Sequence, residues 1–196
     1  MKNKCLLVIL SVSALAADKP AFKPRPMAEY ANKITLDQVT IAVEPFDDDE
    51  KRATAFGKVP LGKFDVVPML VVIENNRKNA LDLKRVKITY RPRGSAEIDA
   101  TPAVDVRFLD GPSRPSMSAS PFPIPLPARV KKSKLNDPVI EERAFAAKMI
   151  APGEIASGFV YFWTSYHGQT TVTLSGLRDA LASQDLFFFE VPVSHR

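Results

Sequence analysis

The fold of this chain is decided by one apolar stretch in the first half of the sequence. Residues 66–73 read Val-Val-Pro-Met-Leu-Val-Val-Ile, and Glu74, Asn75 and Asn76 follow them. A short, nearly continuous apolar run rich in branched side chains is typical of a strand that is buried on both faces. Because proline donates no backbone hydrogen bond, Pro68 must lie near the start of the strand or at a sheet edge. The stretch therefore predicts the central strand of a sheet.

Shorter apolar segments on both sides of this stretch predict further strands. Val39, Ile41 and Val43 alternate with Thr40 and Ala42, which is the pattern of a half-buried strand. The other predicted strands are residues 81–90, 104–108, 159–163, 172–174 and 187–191, the last limited by Pro192. About seven short strands, with no repeat and no regular alternation with helices, predict a mainly β fold, an antiparallel β-sandwich.

Short helices are predicted between some of these strands. Asp47 and Glu50 have the spacing of a capping box and would open a helix that ends near Gly57. Residues 138–148 carry a proline in the first turn, early glutamates and a late lysine, which predicts a second helix. The leucine spacing around residues 176–183 fits either a helical turn or a strand, and the pattern leaves both open.

Two of the predicted strands carry a resemblance to a known kind of domain. Residues 66–76 are a strand that ends in Asn, and residues 152–162 are a Pro-Gly-Glu turn that leads into an aromatic strand. Together they resemble paired strands in the immunoglobulin-like β-sandwich domains of uncharacterised bacterial exported proteins. The resemblance covers residues 34–193 and implies an immunoglobulin-like sandwich without catalytic residues. The proline-rich insertion in the middle of the chain departs from a simple domain of this kind.

The composition excludes several classes of protein. The chain has 196 residues, 25% of them charged, with 17 Pro, 8 Gly, two His and a single Cys. One Cys can form neither a disulfide scaffold nor a four-cysteine zinc site, and two His cannot form a three-histidine metal centre. The many prolines argue against an all-helical fold. The length suits a single domain, residues 34–196, with a sizeable core.

The first residues have the layout of a secretory signal peptide. A short basic start is followed by the uncharged residues 5–17, which contain an Ala-Leu-Ala cleavage pattern at residues 14–16. This layout predicts a signal peptide over residues 1–16 and an exported protein, periplasmic or extracellular. An extended tether rich in proline and basic residues would follow over residues 17–33.

Removal of the signal peptide also changes the expected partners. Loss of its two lysines leaves 25 Lys and Arg against 22 Asp and Glu, a net charge of +3 in place of +5. Such a small excess is weak support for a nucleic-acid partner, and none is predicted. The uncharged run is shorter than the roughly 18 residues that a membrane-spanning helix needs, so no transmembrane helix is predicted.

The stretch from residue 111 to 134 is a Pro-rich, basic insertion. Within it, prolines alternate strictly with Phe122, Ile124 and Leu126 over residues 121–127. In an extended conformation the three apolar side chains share one face and the prolines the other, which describes a segment that covers and blunts a sheet edge. The alternative is a free polyproline segment that binds a partner.

Basic residues follow this alternation directly. Arg129, Lys131 and Lys132 form either a solvated loop or a peripheral contact with an anionic surface, such as lipid headgroups or acidic polysaccharide. The candidate partner contacts of the insertion are therefore Phe122, Ile124, Leu126, Arg129, Lys131 and Lys132.

The sequence carries no complete catalytic motif. Residues 57–63 match the spacing of a phosphate loop, but Phe64 replaces the hydroxyl residue that the loop requires. Ser165 and His167 are neighbours without a carboxylate that the sequence can place, and His167 beside Gly168 is typical of a turn. The sequence therefore predicts no enzyme, no catalytic residue, no cofactor and no metal site.

The densest aromatic cluster contains Tyr161, Trp163 and Tyr166. In a strand Tyr161 and Trp163 share one face, so the cluster is either core or an aromatic patch for a sugar ring or a protein partner. The sequence favours a non-catalytic exported binding or interaction protein of the cell envelope, with an unidentified envelope protein or glycan as its partner. The alternatives are a carbohydrate-binding module or a small hydrolase.

Overall fold

The computed structural model describes residues 22–110, 133–182, 185–186 and 188–194. Within these residues the chain is mainly β, as predicted. The α-helices are α1 (Asp49–Phe56), α2 (Ala103–Val106) and α3 (Pro138–Glu142). The strands, in chain order, are β1 (Lys33–Leu36), β2 (Val39–Pro45), β3 (Val66–Asn75), β4 (Leu81–Asp82), β5 (Lys87–Pro92), β6 (Ile98–Asp99), β7 (Met149–Ile150), β8 (Ile155–Trp163), β9 (Gln169–Ser175), β10 (Arg178–Asp179) and β11 (Phe189–Ser194).

Two antiparallel sheets face each other as a β-sandwich, which confirms the predicted fold class. The first sheet has the order β1-β2-β3-β8, and the second has the order β11-β9-β5-β6. A small third sheet, β10-β4-β7, lies beside them. Alternate residues of both large sheets meet between them in a core that includes Ile41, Met69, Ile73, Phe162, Tyr90, Val172 and Val191.

Strand β3 is central, as the opening stretch predicts. It pairs with β2 on one side and with β8 on the other, and Leu70 lies opposite Phe159. Pro68 is the third residue of the strand, and its carbonyl accepts a hydrogen bond from the Phe46 N–H at 2.9 Å. The two segments that carry the resemblance therefore do pair with each other.

An outer layer covers the face of the first sheet that points away from the second sheet. It brings α1, α3 and the residues before β1 against this face, and Met27 and Tyr30 are buried in it. Two expectations are wrong for this reason. Strand β2 is buried on both faces rather than half-buried. The part of the predicted tether that the structure describes, residues 22–33, is packed against the sheet instead of standing free.

Residues 104–108, predicted as a strand, form α2 and the turn that follows it. The Asp105 N–H donates to the Pro102 carbonyl at 2.8 Å, and the Phe108 N–H donates to the Asp105 carbonyl at 2.9 Å. Because Pro102 fixes φ at −55°, the chain turns there, and helical spacing then buries Val106 alone. The local turn overrides the alternating pattern of apolar residues.

The two predicted helices are found with changed limits. In α1 the cap is Asp48 rather than Asp47, because an Asp48 carboxylate oxygen accepts the Lys51 N–H at 2.6 Å. Helix α3 ends at Glu142, so the predicted helix over 138–148 is too long. Residues 143–148, called the edge segment below, instead lie beside β8, and Arg143 and Phe145 form backbone hydrogen bonds with Phe159 of that strand.

Two further strand expectations need correction, over residues 81–90 and 187–191, and the choice left open around residues 176–183 is resolved for the described residues. The predicted strand over 81–90 is divided into β4 and β5, which belong to different sheets, by a turn that the Val86 N–H closes onto the Leu83 carbonyl. The described residues around 176–182 form β10 and a turn rather than a helix. Strand β11 runs through Pro192, which is tolerated because β11 is an edge strand.

Asn75 joins the two segments that carry the resemblance. It is fully buried at the end of β3, where its N–H donates to the Glu154 carbonyl and its carbonyl accepts the Gly153 N–H. Its side-chain amide donates to the carbonyls of Asn79 and Ile150, at 2.9 and 3.0 Å. Its side-chain oxygen accepts the N–H of residue 77 at 3.1 Å. The Asn at the strand end and the Pro-Gly-Glu turn are thus two halves of one hydrogen-bonded junction.

Asp179 is a nearly buried carboxylate at the same end of the molecule. One of its oxygens accepts the N–H groups of Leu181 and Ala182, at 3.0 and 2.9 Å. The other accepts hydrogen bonds from the side chains of Asn79 and Arg77, at 3.0 and 3.1 Å. The Ala182 N–H, then Asn79 and Arg77, lower the pKa of Asp179 to about 2.

This lowered pKa predicts a specific pH dependence for the substitution Asp179→Asn. A carboxylate whose pKa is lower in the folded state stabilises that state above its ordinary pKa of about 3.8, and the stabilisation is lost as the pH falls towards about 2. We therefore expect Asp179→Asn to lower the melting temperature by several degrees at neutral pH, and the difference from the parent protein to shrink towards pH 2. Melting curves of both proteins across this range measure it.

Asp99→Asn is the matched control, because Asp99 pairs with Lys87 on the surface at 2.8 Å, where ion pairs contribute little. A difference between the parent protein and Asp179→Asn that stays constant from neutral pH to pH 2 would contradict the role assigned to the charge.

Candidate functional site

The sandwich is closed along one side and open along the other. On the closed side β11 lies beside β1 and β2, and the Asn32 side chain bonds the backbone of Ser194, with its oxygen accepting the Ser194 N–H at 3.4 Å. On the open side the edges of the sheets are β8 and β6. The open side exposes part of the core between the two sheets, so it is the side on which an apolar ligand could reach that core.

A groove of about 680 Å³ lies on this open side, and we call it the lateral groove. Its volume lies within the range of roughly 300–1,000 Å³ that is usual for small-molecule sites. Ile88 and Val160, which are 9% and 8% exposed, are the most exposed residues of the buried core between the sheets, and both line it. The other lining residues are Leu83, Lys84, Val86, Ala100, Thr101, Pro102, Ala103, Ala144, Phe145, Ala146, Ala147, Lys148, Phe159 and Tyr161.

Two backbone segments form the walls of the groove by pairing with the edge of β8. The edge segment does so at Phe145, whose N–H donates to the Phe159 carbonyl at 2.9 Å, while the Phe159 N–H donates to the Arg143 carbonyl at 2.8 Å. On the other side the Thr101 N–H donates to the Tyr161 carbonyl at 2.7 Å. The backbone at this sheet edge is therefore used by the chain itself.

Gly158 allows the edge segment to lie this close to β8. A Cβ atom at this position would overlap the backbone of Ala144 and Phe145. The residue has no need of a positive φ, so the close approach is the reason for glycine. The groove thus depends on a small residue in the strand and on small residues in the wall, since positions 144, 146 and 147 are alanine.

The charge of the groove is positive. The lining includes two lysines, Lys84 and Lys148, and no aspartate or glutamate. Both lysines are exposed, and among the described residues neither forms an ion pair. The Leu83 N–H donates to the Lys148 carbonyl at 2.9 Å, so the two lysines stand on neighbouring segments at one end of the groove. Two ammonium groups beside apolar walls attract a ligand that carries negative charge.

The candidate aromatic patch of Tyr161, Trp163 and Tyr166 does not form a single surface, since Tyr161 follows the core alternative and Trp163 does not. Trp163 is 59% exposed, but Tyr161 is 1% exposed, and its hydroxyl donates to the Ile140 carbonyl at 2.7 Å beneath α3. Burial raises the pKa of the Tyr161 hydroxyl well above its ordinary value. Tyr166 is half-buried, and burial, helped by the charge of Asp47, raises its pKa to about 12. The outer layer covers Tyr161 and leaves Trp163 uncovered.

Ser165 and His167 do not form a catalytic pair in the described structure. The Ser165 hydroxyl lies 3.3 Å from a carboxylate oxygen of Asp65, and His167 is exposed and uses its backbone N–H to bond the Tyr90 hydroxyl at 3.1 Å. Residues 57–63 follow the end of α1 and contain the start of a 3₁₀ helix, so a helix and not a strand precedes this phosphate-loop-like stretch, contrary to what the motif requires.

The candidate partner contacts Phe122, Ile124, Leu126, Arg129, Lys131 and Lys132 lie outside the described residues. The described residues that flank the insertion lie close together, because a carboxylate oxygen of Asp110 accepts the Lys134 N–H at 2.9 Å.

Sequence reasoning missed the lateral groove. Two sequence signals point to it. One is the run of small residues, with alanine at 144, 146 and 147, inside the predicted helix, and the other is Gly158 inside an otherwise apolar strand, where an isolated glycine marks a close backbone approach. The sequence does not show that Lys84 and Lys148 lie near each other, because this depends on the edge segment lying beside the residues that follow β4.

No group of three or more potential metal ligands occurs among the described residues. Within the same residues, every helix is too short or too polar to cross a bilayer. Comparison of the whole chain with protein-family models, with curated proteins and with solved structures finds no match.

Proposed function

We propose that this chain is a non-catalytic binding protein of the cell envelope and that the lateral groove is its binding site. The observation that carries the proposal is the combination of apolar walls, two unpaired lysines and no carboxylate in one groove on the open side of the sandwich. The layout of residues 1–16 is the support for export. Concave apolar pockets with a few polar groups are the usual form of a small-molecule binding site.

The strand order supports an immunoglobulin-like sandwich as the scaffold of this binding protein. In such domains, a sheet with strands A, B and E faces a sheet with strands C, F and G. With β2, β3 and β8 taken as A, B and E, and β5, β9 and β11 as C, F and G, both sheets follow that order. The sandwich ends then lie far from the groove, which opens along the side.

Glycan binding is less well supported than apolar binding. Sugars are recognised by flat aromatic surfaces and many hydrogen-bonding groups, yet the lining of the groove offers only Thr101, Lys84 and Lys148 as free polar side chains. Trp163 is exposed, but Tyr161, which shares its face of β8, is buried. The two side chains therefore cannot form one aromatic surface for a sugar ring.

An uncharged fluorescent probe tests the groove directly. Phenylnaphthylamine brightens in apolar sites, so we expect one saturable site per protein. The substitution Ala146→Trp places an indole at an exposed lining position and is expected to weaken binding by about tenfold, or 1.4 kcal/mol, because it fills the groove. A fluorescence titration measures the dissociation constant.

The matched control is Ala96→Trp, which places the same side chain at an exposed position between β5 and β6, outside the lining. Melting temperatures check that both variants fold. Equal affinities for the parent protein and a folded Ala146→Trp variant would remove the lateral groove as the binding site.

A further inference from the structure

We propose that the ligand of the lateral groove is a free, single-chain amphiphile with an anionic headgroup, such as a fatty acid. This inference rests on the proposed function and names the ligand class of the same site. Three properties of the groove carry it: apolar walls, an edge of β8 where the chain itself already uses both backbone groups of Phe159 and the carbonyl of Tyr161, and a positive end.

The walls suit a hydrocarbon chain. Most lining residues are apolar, including Leu83 and Val86 from the turn between β4 and β5, Ile88 from β5 and Val160 from β8. A hydrocarbon chain bound between these walls would be removed from contact with water, and so would the exposed parts of Ile88 and Val160. Burial of each methylene group of the ligand strengthens binding by about fourfold.

The backbone at the groove disfavours a peptide strand as the occupant. A peptide added to a sheet edge gains its affinity from free N–H and C=O groups. Here, the edge segment uses the N–H and carbonyl of Phe159, and Thr101 uses the carbonyl of Tyr161. On the opposite sheet the Ile88 carbonyl accepts the Ala100 N–H at 3.3 Å. A hydrocarbon chain needs none of these bonds, so it fits where a peptide would leave its own groups unpaired.

The two lysines at one end suit an anionic headgroup. Lys84 and Lys148 are exposed and lie on neighbouring segments, and the groove lining contains no carboxylate to compete for them. A headgroup at this end stays in water while the hydrocarbon lies between the sheets. The attraction of two exposed charges is modest, so the apolar part supplies the affinity and the lysines supply the preference for negative charge.

Displacement of phenylnaphthylamine by defined amphiphiles, kept below their micelle-forming concentrations, tests the inference. We expect dodecanoate to displace the probe from one site, and decanoate, which is two methylenes shorter, to bind about fifteenfold more weakly. Dodecanol and dodecyltrimethylammonium should bind more weakly than dodecanoate. The double variant Lys84→Gln/Lys148→Gln should weaken dodecanoate by about tenfold and leave dodecanol unchanged.

Lys63→Gln/Lys78→Gln is the matched control, because it removes the same charge from two exposed lysines outside the groove lining. It should bind dodecanoate as the parent protein does. Suppose that the probe binds, that Ala146→Trp blocks it, and that dodecanoate binds no more tightly than dodecanol. The proposed ligand class is then wrong, but the groove remains a binding site. If dodecanoate binds equally well to Ala146→Trp, or if only anionic lipid vesicles bind, the inference is overturned.

Discussion

Replacement of Asn75 by alanine is expected to destabilise the protein by about 3 kcal/mol. The side-chain amide of Asn75 bonds the carbonyls of Asn79 and Ile150, and its oxygen bonds the N–H of residue 77. Alanine removes three hydrogen bonds of about 1 kcal/mol each and leaves the buried Ile150 carbonyl without that donor. Because the side chain is fully buried, water cannot restore these bonds. Urea denaturation of the parent and variant measures the difference.

Asn76→Ala is the control for this measurement. Asn76 is the next residue and the same amino acid, but it is exposed. Its substitution should change the free energy of unfolding by no more than about 0.5 kcal/mol. If the two variants lose the same stability, Asn75 is not the junction between β3 and the turn before β8.

The substitution Phe159→Ala is expected to destabilise the protein by about 4 kcal/mol. The Phe159 ring lies on the outer face of the first sheet, with its centroid 4.8 Å from that of Phe46, 4.7 Å from that of Phe56 and 5.3 Å from that of Phe22. Truncation leaves a cavity that three surrounding rings cannot collapse to fill. It also loses the ring contacts of Phe159, edge-to-face with Phe46 and Phe56 and tilted with Phe22, and such aromatic pairs are worth about 0.5–1.5 kcal/mol each.

Chemical denaturation with Phe188→Ala as the control tests this expectation. Phe188 is 60% exposed, so the same truncation there should cost less than about 0.5 kcal/mol. Phe159→Leu should lie between the two, because leucine keeps part of the apolar volume. A small loss for Phe159→Ala would mean that the outer layer adds little to stability, contrary to its buried packing.

The strands that the sequence predicts well are those that two layers bury. Residues 66–73 and 159–163 are apolar without interruption because the second sheet lies on one of their faces and the outer layer on the other. Such runs can be recognised as strands without knowing which other strands they pair with. The same reasoning fails for β2, because its alternating Thr40 and Ala42 are small or polar residues that are nevertheless covered.

Errors arise where a local turn or a distant backbone decides the structure. The apolar alternation at 104–108 is real, but Pro102 starts a turn in front of it. Residues 143–148 carry the helix-favouring alanines of a continued α3, yet Arg143 and Phe145 bond Phe159 of β8, and the Lys148 carbonyl accepts the Leu83 N–H. A pattern within one segment cannot reveal a partner that lies elsewhere in the chain.

The candidate site could not be predicted from sequence for the same reason. Alternation correctly places Tyr161 and Trp163 on one face, but their exposure depends on how far α3 reaches over β8. The lateral groove is lined by four separate stretches of chain, and none of them indicates a binding site when considered alone. Only the pairing of β4 with β7, just beyond the edge segment, brings Lys84 and Lys148 together.

The pairing of β3 with β8 also has a consequence for how the protein acquires its fold. Leu70 and Phe159 face each other across the central pair although roughly 90 positions separate them in the chain. Chains dominated by such distant pairings fold slowly, in milliseconds to seconds, because loop closure precedes the contacts that reward it. The cost of closure rises only with the logarithm of loop length, by about 0.6 kcal/mol per doubling. The connection between these strands can therefore vary in length at little cost, whereas the central pair cannot form until β8 has been synthesised.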